Sequence, residues 1–385
     1  MSEHARASSP RTVGVEEELL LVDPESAAPV PASEAVLAAV RGVRPPAEPV
    51  QSAPTGLRLE REVKQEQIEI VSAPQSTLDG LERELRAGRR LADQAASAAG
   101  ATAVALATSV LPSASHLAPN PRYEAMRGQF GLTMTEQLTC GMHVHVEVRD
   151  ETEGVAVLDR IRPWLPVLHA LSTNSPFWDG VETGFSSFRY QAWSRWPSAG
   201  PYDVFGSPEA YRGLIRSLLR SGVLLDTGMV YFDARLSDHH PTVEVRVADV
   251  CLDVAHAVAI AALVRALVET AAREWAAGVP PHAIPSPLLR MAMWSASRYG
   301  VRESLVDPHS GSPCPAREAV DALLAHVAPV LEETGDLERA VRVIDEIFAE
   351  GTGADRQLRA FRELGDLPAV VAHAARRTHE HGGST

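Results

Sequence analysis

Five stretches of this chain alternate apolar and polar residues with a period of two, which predicts strands whose successive side chains face opposite ways. In Thr12–Val22, Val13, Val15, Leu19 and Leu21 share one side, while Gly14, Glu16 and Glu18 share the other. Glu17 falls on the apolar side. In Lys64–Val71, Ile68 and Ile70 oppose Gln65, Gln67 and Glu69. In Cys140–Val148, Met142, Val144, Val146 and Val148 alternate with His143, His145 and Glu147. In Val230–Leu236, Tyr231, Asp233 and Arg235 share a face, and in Thr242–Asp249 so do Glu244 and Arg246.

A period near 3.6 takes over elsewhere. Ser76-Thr77-Leu78-Asp79 predicts a helix start with Ser76 as the cap, and Leu78, Leu81, Leu85 and Leu91 carry the helix to about residue 99. A short helix over 33–41 precedes a Pro- and Ala-rich surface loop. Further helices are predicted over 153–172, 208–221, 253–277, 286–298, 315–333, 337–350 and 356–378. Strands and helices mix in the first two-thirds, and the last third is nearly all helix. The class is α+β with a mainly antiparallel sheet, rather than alternating strand and helix. A single catalytic domain spans 12–378, between disordered tails at 1–11 and 379–385.

Composition narrows the chemistry. The chain has 385 residues, 45% of them apolar, enough for one large core. The balance of 36 Lys and Arg against 50 Asp and Glu leaves a net charge of −14, which argues against a polyanionic partner such as nucleic acid. The most apolar windows are too short, or too broken by Arg, His and Ser, to cross a bilayer. The N-terminus lacks the apolar run of a secretion signal, and three cysteines with no CxxC pair point to reduced thiols in a cytoplasmic protein.

One alternating strand taken alone is ordinary sheet with a wet face. These five depart from that pattern because their polar faces carry Glu, His and Arg rather than Lys, Thr and Ser. Joined in one sheet, they form a carboxylate-lined basin with Arg235 and Arg246 at one side. Crowded carboxylates need compensation, and divalent cations supply it. Oxygen donors with one imidazole suit Mg2+, or alternatively Mn2+. Two or more such ions would hold a polyphosphate, and the chain lacks the P-loop pattern that would otherwise do so.

Several blocks appear in one order: Gly14-Val15-Glu16-Glu17-Glu18, Gln67-Ile68-Glu69, Cys140-Gly141-Met142-His143-Val144-His145-Val146, Ser175-Pro176-Phe177-Trp178, Trp193 to Pro197, Val243-Glu244-Val245-Arg246 and Arg298-Tyr299-Gly300. Together they resemble the YbdK-type carboxylate–amine ligases of the glutamate–cysteine ligase type 2 family, over about residues 12–375. The resemblance implies a glutamine-synthetase-like curved antiparallel sheet that forms a funnel backed by helices. It implies ATP-dependent amide formation between a small carboxylic acid (glutamate or an analogue) and an amine, through an acyl phosphate, with ADP and phosphate released. A homo-oligomer is implied too. Carried over by position, Glu16, Glu18, Glu69, His143 and Glu244 are the metal ligands, and Arg246 and Arg235 meet the transferred phosphate and the reacting carboxylate. Arg189 is a candidate for a substrate carboxylate, and Arg298 for the nucleotide. His145 is assigned to orienting a neighbour rather than to ligation. Ser295 stands where the family often has Arg, and apolar Met291-Ala292-Met293 precedes it.

Two other readings compete. His143 and His145 form an HxH pair of the kind metal-dependent amide hydrolases use, although later strands offer Glu and Arg in place of further His or Asp. A non-catalytic nucleotide binder is the third reading, motivated by Ser295.

Overall fold

A computed structural model of the chain describes residues 10–40 and 56–379. The loop expected over 41–55 and the end segments 1–9 and 380–385 lie outside the described residues. The centre is a seven-stranded sheet. Its strands are β1 (Val13–Val22), β2 (Arg58–Arg61), β3 (Gln67–Val71), β4 (Thr102–Val104), β5 (Gly141–Glu147), β6 (Ala234–Leu236) and β7 (Thr242–Asp249). The order is β2-β3-β1-β5-β7-β6, with β4 against the end of β1. Every pairing is antiparallel, as the α+β reading requires.

The apolar faces of the strands pack on helices. Val13, Val15, Met142, Val144, Val243, Val245 and Val247 join a core with the helices Glu151–Ile161, Leu165–Ser172 and Val254–Ala276. Leu19, Leu21, Ile68 and Ile70 join a second core with residues of the helices Leu78–Ala98 and Leu367–His379. Glu17, on the apolar side, is fully buried and bonded to Arg89 of the Leu78–Ala98 helix. This explains an acid on a core face: a bidentate guanidinium accompanies it. That helix lies so close to β3 that a Cβ on Gly88 would stand 2.4 Å from Ile70.

Several expectations change. The helix over 153–172 is broken by a 3-10 turn at Arg162–Trp164, because Pro163 and Pro166 supply no backbone donor. The helix over 356–378 is two, Gly353–Leu364 and Leu367–His379, parted at Gly365 with φ 69°. Thr77 rather than Ser76 caps the Leu78–Ala98 helix, accepting from the Gly80 amide at 3.1 Å. Val230–Leu236 is strand only over Ala234–Leu236, after a 3-10 turn at Thr227–Met229.

Two residues assigned to tails are held in place. Arg11 donates to Glu269 and Glu153, each at 2.6 Å, and His379 ends the last helix with Nε2 2.7 Å from the Ala103 carbonyl oxygen. Glu66 is buried and accepts from the His116 amide. The helix Val254–Ala276 is long and apolar enough to cross a membrane by length and composition, contrary to the reading of the apolar windows. Its apolar window is 83% buried within the protein, since the helix packs on both the sheet and the C-terminal helices.

Candidate active site

Antiparallel register decides which polar residues meet. Cα partners directly across a sheet project to the same side, so the pairs Glu60–Glu69, Glu69–Glu18, Glu16–His143, His145–Glu244 and Glu244–Arg235 run across six strands on one face. A bulge sits between β5 and β7, where Arg246 and Val247 together oppose His143. Past it the phase of β7 reverses: Ala248 pairs with Met142, and Asp249 with Gly141. Asp249 is fully buried, bonded to Ser175 and Ser187.

The face lines a cavity of about 490 Å³ that brings together Glu16, Glu18, Glu69, His143, Glu244, Arg235 and Arg246. Glu60, Glu62, Lys64 and His145 line it as well. Glu62 escaped the alternation because it follows β2, on the connection to β3. Its spacing of two from Glu60 was the available signal.

Donor atoms cluster in three overlapping sets, each within 4.8 Å: Glu16, His145 and Glu244; Glu16, Glu69 and His143; and Glu18, Glu62 and Glu69. His145 therefore stands among the donors, beyond the orienting role expected of it. Its Nε2 is buried, 3.4 Å from Glu16 Oε1 and without a hydrogen bond. His143 Nδ1 lies 3.1 Å from Glu16 Oε2. Glu18 Oε2 accepts from the Gly141 amide at 2.5 Å.

The electrostatics split the carboxylates. Burial, and then repulsion from Glu62, Glu16 and Glu18, holds Glu69 well above the ordinary carboxylate range. Burial and the Glu18 charge push Glu62 up to about 8. Glu16 goes the other way: burial opposes its charge, but the contact with His143 and the nearby His145 imidazole outweigh burial and hold it well below the usual range. Glu244 is likewise low despite burial, because Arg246 and Arg235 both face it. Arg246 bonds Glu244 directly, and Arg235 Nε donates to Glu244 Oε2 at 2.7 Å. Protons shared among crowded acids beside an unpartnered imidazole nitrogen are the donor chemistry that hard divalent cations replace.

Two nominated arginines lie elsewhere. Arg189 does not line the cavity. It is 3% exposed, 3.8 Å from Asp249, and fills the space where Gly141 lacks a Cβ. Arg298 lies over the rings of Phe185 and Tyr299, at 5.5 and 5.3 Å, also away from the cavity. Asp233 turns from the face expected of it into the core, where Tyr190 Oη donates to it at 2.9 Å. The Ser295 departure is remote as well: Ser295 Oγ donates to the Ser304 carbonyl oxygen, and Met291 and Trp294 face solvent.

A family model described as glutamate-cysteine ligase family 2 matches residues 12–383. The chain belongs to that family. A relative from Paenarthrobacter aurescens, named "Putative glutamate--cysteine ligase 2-1", is 51% identical over 372 residues, covering 97% of this chain and 96% of its own. A namesake numbered 2-2, from Frankia alni, is 49% identical over 373 residues, covering 96% and 97%. Among solved structures, a glutamate–cysteine ligase from Francisella tularensis in complex with AMP superposes with a TM-score of 0.67 at 12% identity, over 97% of this chain and 90% of that one. A bifunctional glutathione synthetase from Pasteurella multocida gives 0.68 at 15%, the match covering 96% of this chain and 52% of the longer enzyme. The fold is that of the glutamine-synthetase-like ligases. Membership in glutamate–cysteine ligase family 2 makes the protein an ATP-dependent enzyme that forms carbon–nitrogen bonds.

Proposed function

We propose that the enzyme joins a small carboxylic acid to an amine through an acyl phosphate, with glutamate the first acid to test. One observation carries the reading: seven acid and imidazole donors and two arginines, contributed by strands β1, β3, β5, β6 and β7 and the Glu62 connection, converge on one cavity. That donor set fits two or more Mg2+ ions, or Mn2+ in their place, held by Glu16, Glu18, Glu62, Glu69, His143, His145 and Glu244. Bound there, such ions would neutralise the triphosphate oxygens and act as Lewis acids.

The remaining chemistry is assigned to the chain. A carboxylate oxygen of the acid attacks the γ-phosphorus of ATP, the bond to the β,γ-bridging oxygen breaks, and ADP leaves. The amine nitrogen then attacks the acyl carbon, the carbon–oxygen bond to phosphate breaks, and the nitrogen sheds a proton. Arg246 and Arg235 start out neutralised by Glu244. Their guanidiniums are placed to turn toward charge that develops on the transferring phosphoryl group. Catalysis is then mainly positioning and charge neutralisation.

The test is a screen of acid–amine pairs for phosphate release with Mg-ATP. The expected result is stoichiometric ADP, phosphate and amide that depend on the acid, with turnover lost by orders of magnitude in Glu16→Gln. Amide hydrolysis without ATP would support the HxH hydrolase reading and overturn this one.

A further inference from the structure

Beside the catalytic cavity lies a second one of about 480 Å³. The two share Arg235, Ser237, Asp238 and His240, so the end of β6 and the turn to β7 stand between them. Arg235 spans this boundary. Its Nε donates to Glu244 on the catalytic face at 2.7 Å, and a terminal nitrogen donates at 3.1 Å to the carbonyl oxygen of Val230, which lines the second cavity. The lining there is mostly apolar. The helix Pro208–Arg220 contributes Tyr211, Ile215 and Leu219, one stripe at a spacing of four, and Val148 and Leu236 join Val230 around it. Such a stripe ordinarily closes on the elements beneath it, and here it borders open space instead.

Two of the three carboxylates at this second cavity are spent on the protein: Glu151 is 2.8 Å from Arg212, and Asp150 accepts from the Glu153 amide at 2.9 Å. Asp238 is left over. It is exposed on the boundary turn, lines both cavities, and has no ion pair or side-chain hydrogen bond among the described residues. The catalytic cavity, at about 490 Å³, has the size of a site for one small ligand, yet a ligase must fit a triphosphate, its cations and the acid there. The body of the amine needs other room, while its nitrogen must still reach the acyl carbon beside Arg235.

We propose that this second cavity is the amine subsite, and that the amine is a primary amine with an apolar body. The body lies along Tyr211, Ile215 and Leu219, and the ammonium meets Asp238 on the turn, with Arg235 next to it on the catalytic side. The inference rests on the ligase reading above. Continuity with the catalytic cavity across Arg235 says why an amine goes there, and the unpaired Asp238 carboxylate matches its charge.

Ethylamine, butylamine and hexylamine would be titrated into the full chain in a calorimeter with Mg2+ and ADP, so that the readout does not require turnover. Each methylene that enters the cavity should tighten binding about fourfold, which makes hexylamine about 15-fold tighter than butylamine. Ile215→Asn turns the stripe polar and Ile215→Trp fills the space; each should bring that ratio below about threefold. Asp238→Asn should weaken hexylamine about fivefold and leave hexanol unchanged. A wild-type ratio near one would overturn the proposal. So would a steep ratio that survives both Ile215 variants, since the tail would then lie elsewhere, or an Asp238→Asn protein that binds hexylamine as the wild type does. If the chain-length series behaves as expected but no acid–amine pair releases phosphate, the amine site stands and the ligase reading fails. Phosphate release with a flat series leaves the ligase reading and removes this one.

Discussion

The crowding of acids in the cavity destabilises the metal-free protein, and Glu62 shows by how much. Burial beside Glu18 raises its carboxyl from 4.5 to about 8. At pH 7 the unfolded chain carries Glu62 ionised, whereas the folded chain must hold its proton. The gap between pH 7 and 4.5 costs about 3 kcal/mol of folding free energy. Glu62→Gln removes that cost and keeps the shape. The sign follows from linkage: a raised acid contributes no penalty below its ordinary value and a growing one as pH climbs from 4.5 to 8. Stability of Glu62→Gln relative to wild type should therefore rise over that window and level off above it. The assay is urea denaturation across pH 4.5 to 8.5 in EDTA, repeated with Mg2+ and ADP. In the second arm a cation held as proposed would replace the proton. Wild type should gain about 2.7 kcal/mol at a hundredfold excess of ligand over Kd, and the variant clearly less. A metal-free Glu62→Gln protein no more stable than wild type at pH 8, or one with the full Mg2+ response, would refute the reasoning.

Other predictions concern the arginines, the core ion pair and a buried imidazole. Arg246→Lys should lower kcat by about a hundredfold or more with KM for ATP nearly unchanged, measured by coupled ADP release; equal losses in both would deny a transition-state role. Arg89→Met leaves Glu17 charged and unpaired in the core and should cost about 3–5 kcal/mol, whereas Arg89→Met with Glu17→Leu should recover most of that in denaturant titrations. His169 is fully buried, its Nδ1 2.8 Å from the Val247 carbonyl oxygen, and burial lowers it to about 4. Its neutral form therefore supports the fold above pH 6.5, and that support, about 3 kcal/mol, drains away as pH falls to 4. His169→Gln should flatten the stability profile between those pH values, whatever its absolute stability.

The alternation of residue types by itself located the strand segments and, Asp233 and Asp249 apart, the face their polar residues take, because Cβ atoms in a strand must alternate sides. Glu16, Glu18, Glu69, His143, Glu244 and Arg246 could therefore be grouped without coordinates, as could Glu17 on the opposite side. Helix existence was equally local, but helix continuity was not read correctly where Pro163, Pro166 and Gly365 interrupt the apolar period. Tertiary structure decided the rest. Only the antiparallel register sets Glu69 across from Glu18 and Glu244 across from His145, and only the bulge turns Asp249 to the opposite side from that which strict alternation predicts. Glu62 and Lys64 reach the cavity from the connection between β2 and β3, where the strand expected from Lys64 onward begins only at Gln67. Arg189 and Arg298 carry a charge suited to a substrate, yet folding spends one beneath Gly141 and the other on aromatic rings. A side chain's type limits what chemistry it can do, but its partners are set by chain segments far away in sequence.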